Sequence, residues 1–204
     1  KTLQTLSMLQ YQPKDALVVL FPKNINDPKE YLKELNALHV NYITFLQYFP
    51  SNKNPQYMAL SYEEFNSMMI KLLREYFSNR KDYNFKIDNI NDLNDVINGN
   101  YNVYADEAIF INPNGQLGFI DYKEFGGNIV EYYKSFDKLA DIAVFLNQER
   151  ELYEKSCKDC IRFNRCYPEH LNKYALGNKK DNCCGRLSLI NEYERLVDKY
   201  GINN

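Results

Sequence analysis

All five cysteines of this 204-residue chain, Cys157, Cys160, Cys166, Cys183 and Cys184, lie in its last quarter, and the first 156 residues have none. Cys157-Lys-Asp-Cys160 sets two thiols across a tight turn, Cys166 follows after five intervening residues, and Cys183-Cys184 after sixteen more. Three closely spaced ligands and one distant ligand are what a loop needs to wrap a tetrahedral metal or a cubane cluster, because the fourth contact must close the cage from another side. Cys183 and Cys184 are adjacent and do not easily reach one centre together, so one ligates and the other is spare; the sequence does not choose between them. Lys155, Lys158, Arg162 and Arg165 flank the first three cysteines and offset the negative charge of a four-thiolate site. They do not decide the metal, since thiolate sites of this size suit an iron–sulfur cluster or zinc alike. A redox thiol pair or inert core cysteines are the lesser readings. His170, four residues past Cys166, is a further zinc-ligand candidate, whereas His39 reads as a helix-end histidine.

The remaining composition narrows the class. With 45% hydrophobic and 15% aromatic residues, the chain can bury one ordinary core or two small ones. Lys and Arg number 25 against 27 Asp and Glu, so no global basic field exists to hold a phosphate backbone, and a dedicated nucleic-acid binder is not expected. No apolar run reaches eighteen residues and no signal-peptide pattern opens the chain, so neither a membrane span nor secretion is expected and the cytoplasm is the simplest compartment. There, segregated cysteines suggest a metal site more than disulfides. No Ser/His/Asp arrangement, phosphate-binding glycine loop or zinc-protease helix appears, and no catalytic residue is nominated.

The elements that must position the cysteines are legible in part. Ala16-Leu-Val-Val-Leu-Phe21 is a continuous apolar run of strand length, the pattern of a parallel strand covered on both faces. Asp27-Pro28 with Glu30 three residues after the cap opens a helix, and Asn41-Tyr-Ile-Thr-Phe-Leu46 is a second strand, which together make a βαβ unit. Ser61-Tyr-Glu-Glu64 caps a helix to about Phe77, with Phe65, Met68, Met69, Leu72, Leu73 and Tyr76 on its core face. The Asn- and Asp-rich stretch from Asn79 to Gly99 reads as a connection, with a boundary near residue 80. Glu107–Ile111 and Gln116–Tyr122 flank Asn112-Pro-Asn-Gly115, a tight hairpin turn. Ser135–Leu146 and Arg186–Tyr200 read as amphipathic helices, the second ending at Gly201, with the cysteine segment between them.

This order of elements resembles the C-terminal half of a radical S-adenosylmethionine (radical SAM) enzyme of the SPASM or twitch type, the group that includes peptide-modifying maturases. Ala16–Phe49 is similar to a later strand–helix–strand unit of that family's partial βα barrel, and Leu60–Phe65 to the start of the helix after it. Asn112–Ile120 resembles the family's hairpin, Gly127-Asn128-Ile129 its Gly-Asn-Ile triplet, and Cys157-x2-Cys160-x5-Cys166 with a later cysteine the spacing that holds its second auxiliary 4Fe-4S cluster. The resemblance implies an α/β (α+β) chain: a partial parallel βα-barrel remnant over residues 1–80, then a SPASM/twitch-like auxiliary-cluster module over 81–204 built of a β-hairpin, helices and the cysteines.

Several positions depart from the family pattern. Where a full SPASM domain has further cysteines this chain has Ile120, Tyr132 and His170, so one cluster is expected instead of two. The Cys-x3-Cys-x2-Cys motif that ligates the SAM-cleaving cluster is absent from these residues, so SAM would be bound only through residues outside this chain. The expectation is the substrate-side, cluster-bearing part of a maturase acting on a ribosomally made precursor peptide (a RiPP), incompetent for SAM cleavage alone. The start on Lys1 favours a fragment over a split enzyme or pseudo-enzyme, and an incomplete sheet would leave an exposed edge. The competing expectation is a non-catalytic peptide- or protein-binding module held by a structural four-cysteine zinc site.

Overall fold

The computed structural model describes residues 15–20, 25, 27–48, 60, 62–100, 110–111, 117–123, 127–133, 157–163, 165–166 and 186–201. It is a mixed α/β structure. Strand β1 (Asp15–Leu20) leads through helix α1 (Pro28–Asn36) to β2 (Tyr42–Gln47), and helix α2 (Tyr62–Ser78) leads to β3 (Lys86–Ile87). The three strands lie side by side in chain order, all parallel, with Leu17 opposite Thr44 and Val19 opposite Leu46.

Local chemistry sets the helix ends. The Asp27 carboxylate accepts from the backbone N–H groups of Lys29 at 2.9 Å and Glu30 at 3.3 Å, two donors that the first helical turn leaves without partners, and Pro28 sits where no N–H is needed. The turn from α1 into β2 passes through His39 at a φ of 54°, a left-handed conformation that glycine adopts more readily than histidine.

Leu32 and Leu35 of α1 and Met69, Leu72 and Leu73 of α2 are buried with Leu20, Ile43 and Phe45 in one core, so both crossover helices cover the same face of the sheet. The opposite face is open. Leu17 is 71% exposed and Val19 43%, and Tyr42 and Leu46 alternate out with them. The apolar run of β1 therefore does not signify burial on both faces; its alternate residues differ in burial as on a one-sided sheet.

Residues 79–99, expected as a connection, supply structure instead. After a 3-10 turn at Arg80–Asp82, β3 adds to the sheet and helix α3 (Asn89–Asn98) buries Leu93 and Val96, closing at Gly99 with a φ of 74°. Short β3 pairs with only Tyr42 and Ile43. Beyond it the Asn89 amide continues the ladder: its Oδ1 accepts from the Phe45 N–H at 2.8 Å and its Nδ2 donates to the Phe45 carbonyl at 3.1 Å. Tyr76 stacks on Tyr83 and Phe85 and donates its hydroxyl to the Phe85 carbonyl at 3.0 Å, so the core runs across residue 80.

Strands β4 (Phe110–Ile111), β5 (Leu117–Lys123) and β6 (Gly127–Tyr133) make a second sheet, antiparallel, in the order β4-β5-β6. Ile111 opposite Leu117 fits the expected hairpin, whose Asn112–Gly115 turn lies outside the described residues, and β6 adds a strand with a bulge at Lys123. The helix expected over Ser135–Leu146 also lies outside them. Helix α4 (Leu187–Tyr200) forms where its periodicity places it, burying Leu189, Ile190, Tyr193 and Leu196 and ending at Gly201. Among the described residues no helix is long and apolar enough to cross a membrane.

Candidate metal centre

The backbone between Cys157 and Cys166 folds as a succession of turns. The Cys160 N–H donates to the Cys157 carbonyl at 2.8 Å, Phe163 N–H to Cys160 at 2.9 Å, and Cys166 N–H to Arg162 at 3.0 Å. Two residues past the Cys-x2-Cys pair, the Arg162 N–H points at the Cys160 sulfur, 3.4 Å away. Hydrogen bonds to sulfur are among the outer contacts that tune a metal held by cysteines.

Side chains fix this segment to the helical core. The Arg162 guanidinium pairs with Glu194 on α4, and its buried Nε has no hydrogen-bond partner among the described residues. Arg165 extends to Gly99 at the end of α3, its Nε 3.8 Å from where a β-carbon on that glycine would stand. A cation there suits the exposed carbonyls of a helix C-terminus. Cys166 packs against the core and Ile161 points into solvent, 84% exposed.

Cys157, Cys160 and Cys166 are half-buried thiols. Among the described residues no group of three His, Cys, Asp or Glu side chains is arranged to hold a metal ion. Cys183, Cys184 and His170 lie outside the described residues, as does Lys155. The donor chemistry nevertheless fits a soft or borderline metal: three thiols on one turn segment, a backbone N–H directed at one sulfur, and Lys158, Arg162 and Arg165 around them.

The anchor helix carries its own ion network. Glu192 accepts from Arg195 at 2.6 and 3.0 Å and from Arg74 of α2 at 2.8 Å, and these bonds hold its carboxyl down at about 2. At the next residue, the Tyr193 hydroxyl donates to Asn94 of α3 at 2.5 Å, with burial pushing its phenol up to about 12. So α4 is pinned to α2 and α3 and in turn holds the cysteine segment. The sequence flagged Arg162 only as a counter-charge; its tie to Glu194 joins residues 32 positions apart and has no local signal.

Comparison of the chain with protein-family models, with curated proteins and with solved structures finds no match in any of the three. The functional reading accordingly rests on the residues and their placement.

Proposed function

We propose that this chain is the substrate-side part of a radical SAM peptide-modifying enzyme, carrying one auxiliary cluster and unable to cleave SAM by itself. The observation that carries the reading is the Cys157–Cys166 turn segment, with the Arg162 N–H directed at the Cys160 sulfur and the segment tied to α4. Cys157, Cys160, Cys166 and one of Cys183 and Cys184 would hold the group, which supplies electron relay and local folding energy when bound.

The sheet supports the same reading. Three parallel strands in chain order, with both crossover helices on one face, are compatible with a segment of a βα barrel, an arrangement that half of a doubly wound sheet shares. Ile120 and Tyr132, where the resemblance implies ligands of a further cluster, fall diagonal to each other in the β5–β6 register, since Ile120 lies opposite Val130. Neither is a cysteine, which favours a single cluster. The enzyme's other residues and a precursor peptide are the partners this reading requires.

Anaerobic reconstitution of the full chain with iron and sulfide tests it. A brown protein with about four irons and four labile sulfides, lost on changing Cys157 or Cys160 to Ser, is the expected result. Stoichiometric zinc with no labile sulfide would assign a structural zinc module instead.

A further inference from the structure

A cleft of about 560 Å³ is lined by described residues that include none of the cysteines. The ends of α2 and α4, the 3-10 turn and the starts of β2, β3 and α3 form its lining. Tyr42, Phe77 and Tyr200 are its accessible rings, over the buried rings of Tyr76 and Tyr193, and among the described residues its charged lining is Arg80, Lys81 and Lys86 against the carboxylate of Asp82. This local excess of positive charge sits in a chain whose formal net charge is −2. Arg80 is held in place by its contact over the Tyr76 ring, 5.0 Å from the centroid, and by its bond to the Tyr83 carbonyl at 2.7 Å. Lys81 and Lys86 are exposed and enter no ion pair among the described residues. The Tyr200 hydroxyl, 2.9 Å from Ser78 Oγ, adds a hydrogen-bonding group to the same wall.

We propose that this cleft binds an acidic peptide segment bearing aromatic side chains. Tyrosine and arginine are the residues that dominate peptide and protein recognition, offering large rigid surface with a polar tip. The excess cations call for a negative ligand, and the clustered rings call for planar side chains between the charges. A phosphate compound is the competing occupant, since Ile90 and Asn91 in the first turn of α3 also line the cleft, and the test below includes one. As a partner for a peptide-modifying enzyme, the segment rests on the function proposed above, but its binding does not involve the cysteines.

The test is fluorescence anisotropy on the full chain with a labelled peptide of alternating glutamate and tyrosine, its glutamine–tyrosine counterpart, and adenosine monophosphate as competitor. The acidic peptide is expected to bind at least tenfold more tightly than the neutral one, with that preference abolished in the K81E/K86E variant and weakened by added salt. Should charge reversal disturb folding, K81Q/K86Q is expected to lower the preference severalfold. Equal binding of the two peptides, a preference that survives in these variants, or displacement by adenosine monophosphate at lower concentration than by unlabelled peptide would overturn the proposal. Running the assay on metal-free and reconstituted protein separates the two readings. Absent binding with four irons loaded refutes this site alone, and binding without cluster loading refutes only the cluster.

Discussion

Replacing Glu192 by Gln should make the fold less dependent on pH, by an amount the structure bounds. The Glu192 carboxyl is held at about 2 against an ordinary 4.5, first by Arg195 and then by Arg74. A depressed acid contributes its stability above 4.5 and loses it as pH falls through 4.5 toward 2, because the unfolded chain takes up the proton first. At about 1.4 kcal/mol per tenfold change in proton affinity, the ceiling is about 3 kcal/mol. Glu192 itself is only 11% exposed, but the arginines are 55% and 54% exposed, and solvent screening brings the expected contribution to about 1 kcal/mol. Urea unfolding of wild type and E192Q at pH 7 and pH 2.5 measures it. The variant should be less stable by about 1 kcal/mol at pH 7 and nearly equal to wild type at pH 2.5, with the gap shrinking in high salt. A gap of the same size at both pH values would refute the argument, for it would mean that Glu192 acts through packing.

Two further perturbations probe the scaffold. Asn89→Ala removes both partners of the half-buried Phe45 peptide groups, and a loss of about 2 kcal/mol is expected in chemical denaturation, whereas a loss below about 0.5 kcal/mol would show that water replaces the amide fully. His39→Gly relieves the left-handed φ of 54°, and a gain of about 0.5 kcal/mol is expected in the same assay, with a loss as the contrary outcome.

What the sequence made legible were elements with local signatures. Asp27 before Pro28 marked the start of α1, the two apolar runs marked β1 and β2, and the four-then-three spacing of Leu189, Tyr193 and Leu196 marked α4 up to Gly201. What it concealed was set by distant partners. Strand β3 is two residues long, too short for any alternation, and forms because β2 offers Tyr42 and Ile43 for pairing and Asn89 extends the ladder. The Asn-rich composition of 79–99 hid a helix whose burial rests on Leu93 and Val96. The open face of β1 was equally hidden, since a run such as Ala-Leu-Val-Val-Leu reads the same whether one side or both are covered. For the candidate site the spacing of Cys157, Cys160 and Cys166 was visible, but the Arg162–Glu194 pair that seats them and the place of Arg165 beside Gly99 were not.

Those contacts bear on how cluster and scaffold depend on each other. Arg162 reaches the cysteines through its own backbone N–H and the core through its guanidinium, so one residue joins the thiol turn to α4. Two residues before Glu194, Glu192 binds α4 to α2, and between them Tyr193 binds it to α3. A metal held by the cysteines would therefore draw on a helix already fixed on both flanks, and loading would add stability to α4 as well as to the loop, since energy gained on binding a site that forms only in the folded state is folding energy. The converse also holds: a change that loosens α4, such as the loss of Glu192, acts on the cysteine segment without touching any thiol. In this chain the ion network on α4 belongs to the support of the proposed cluster as much as to the core.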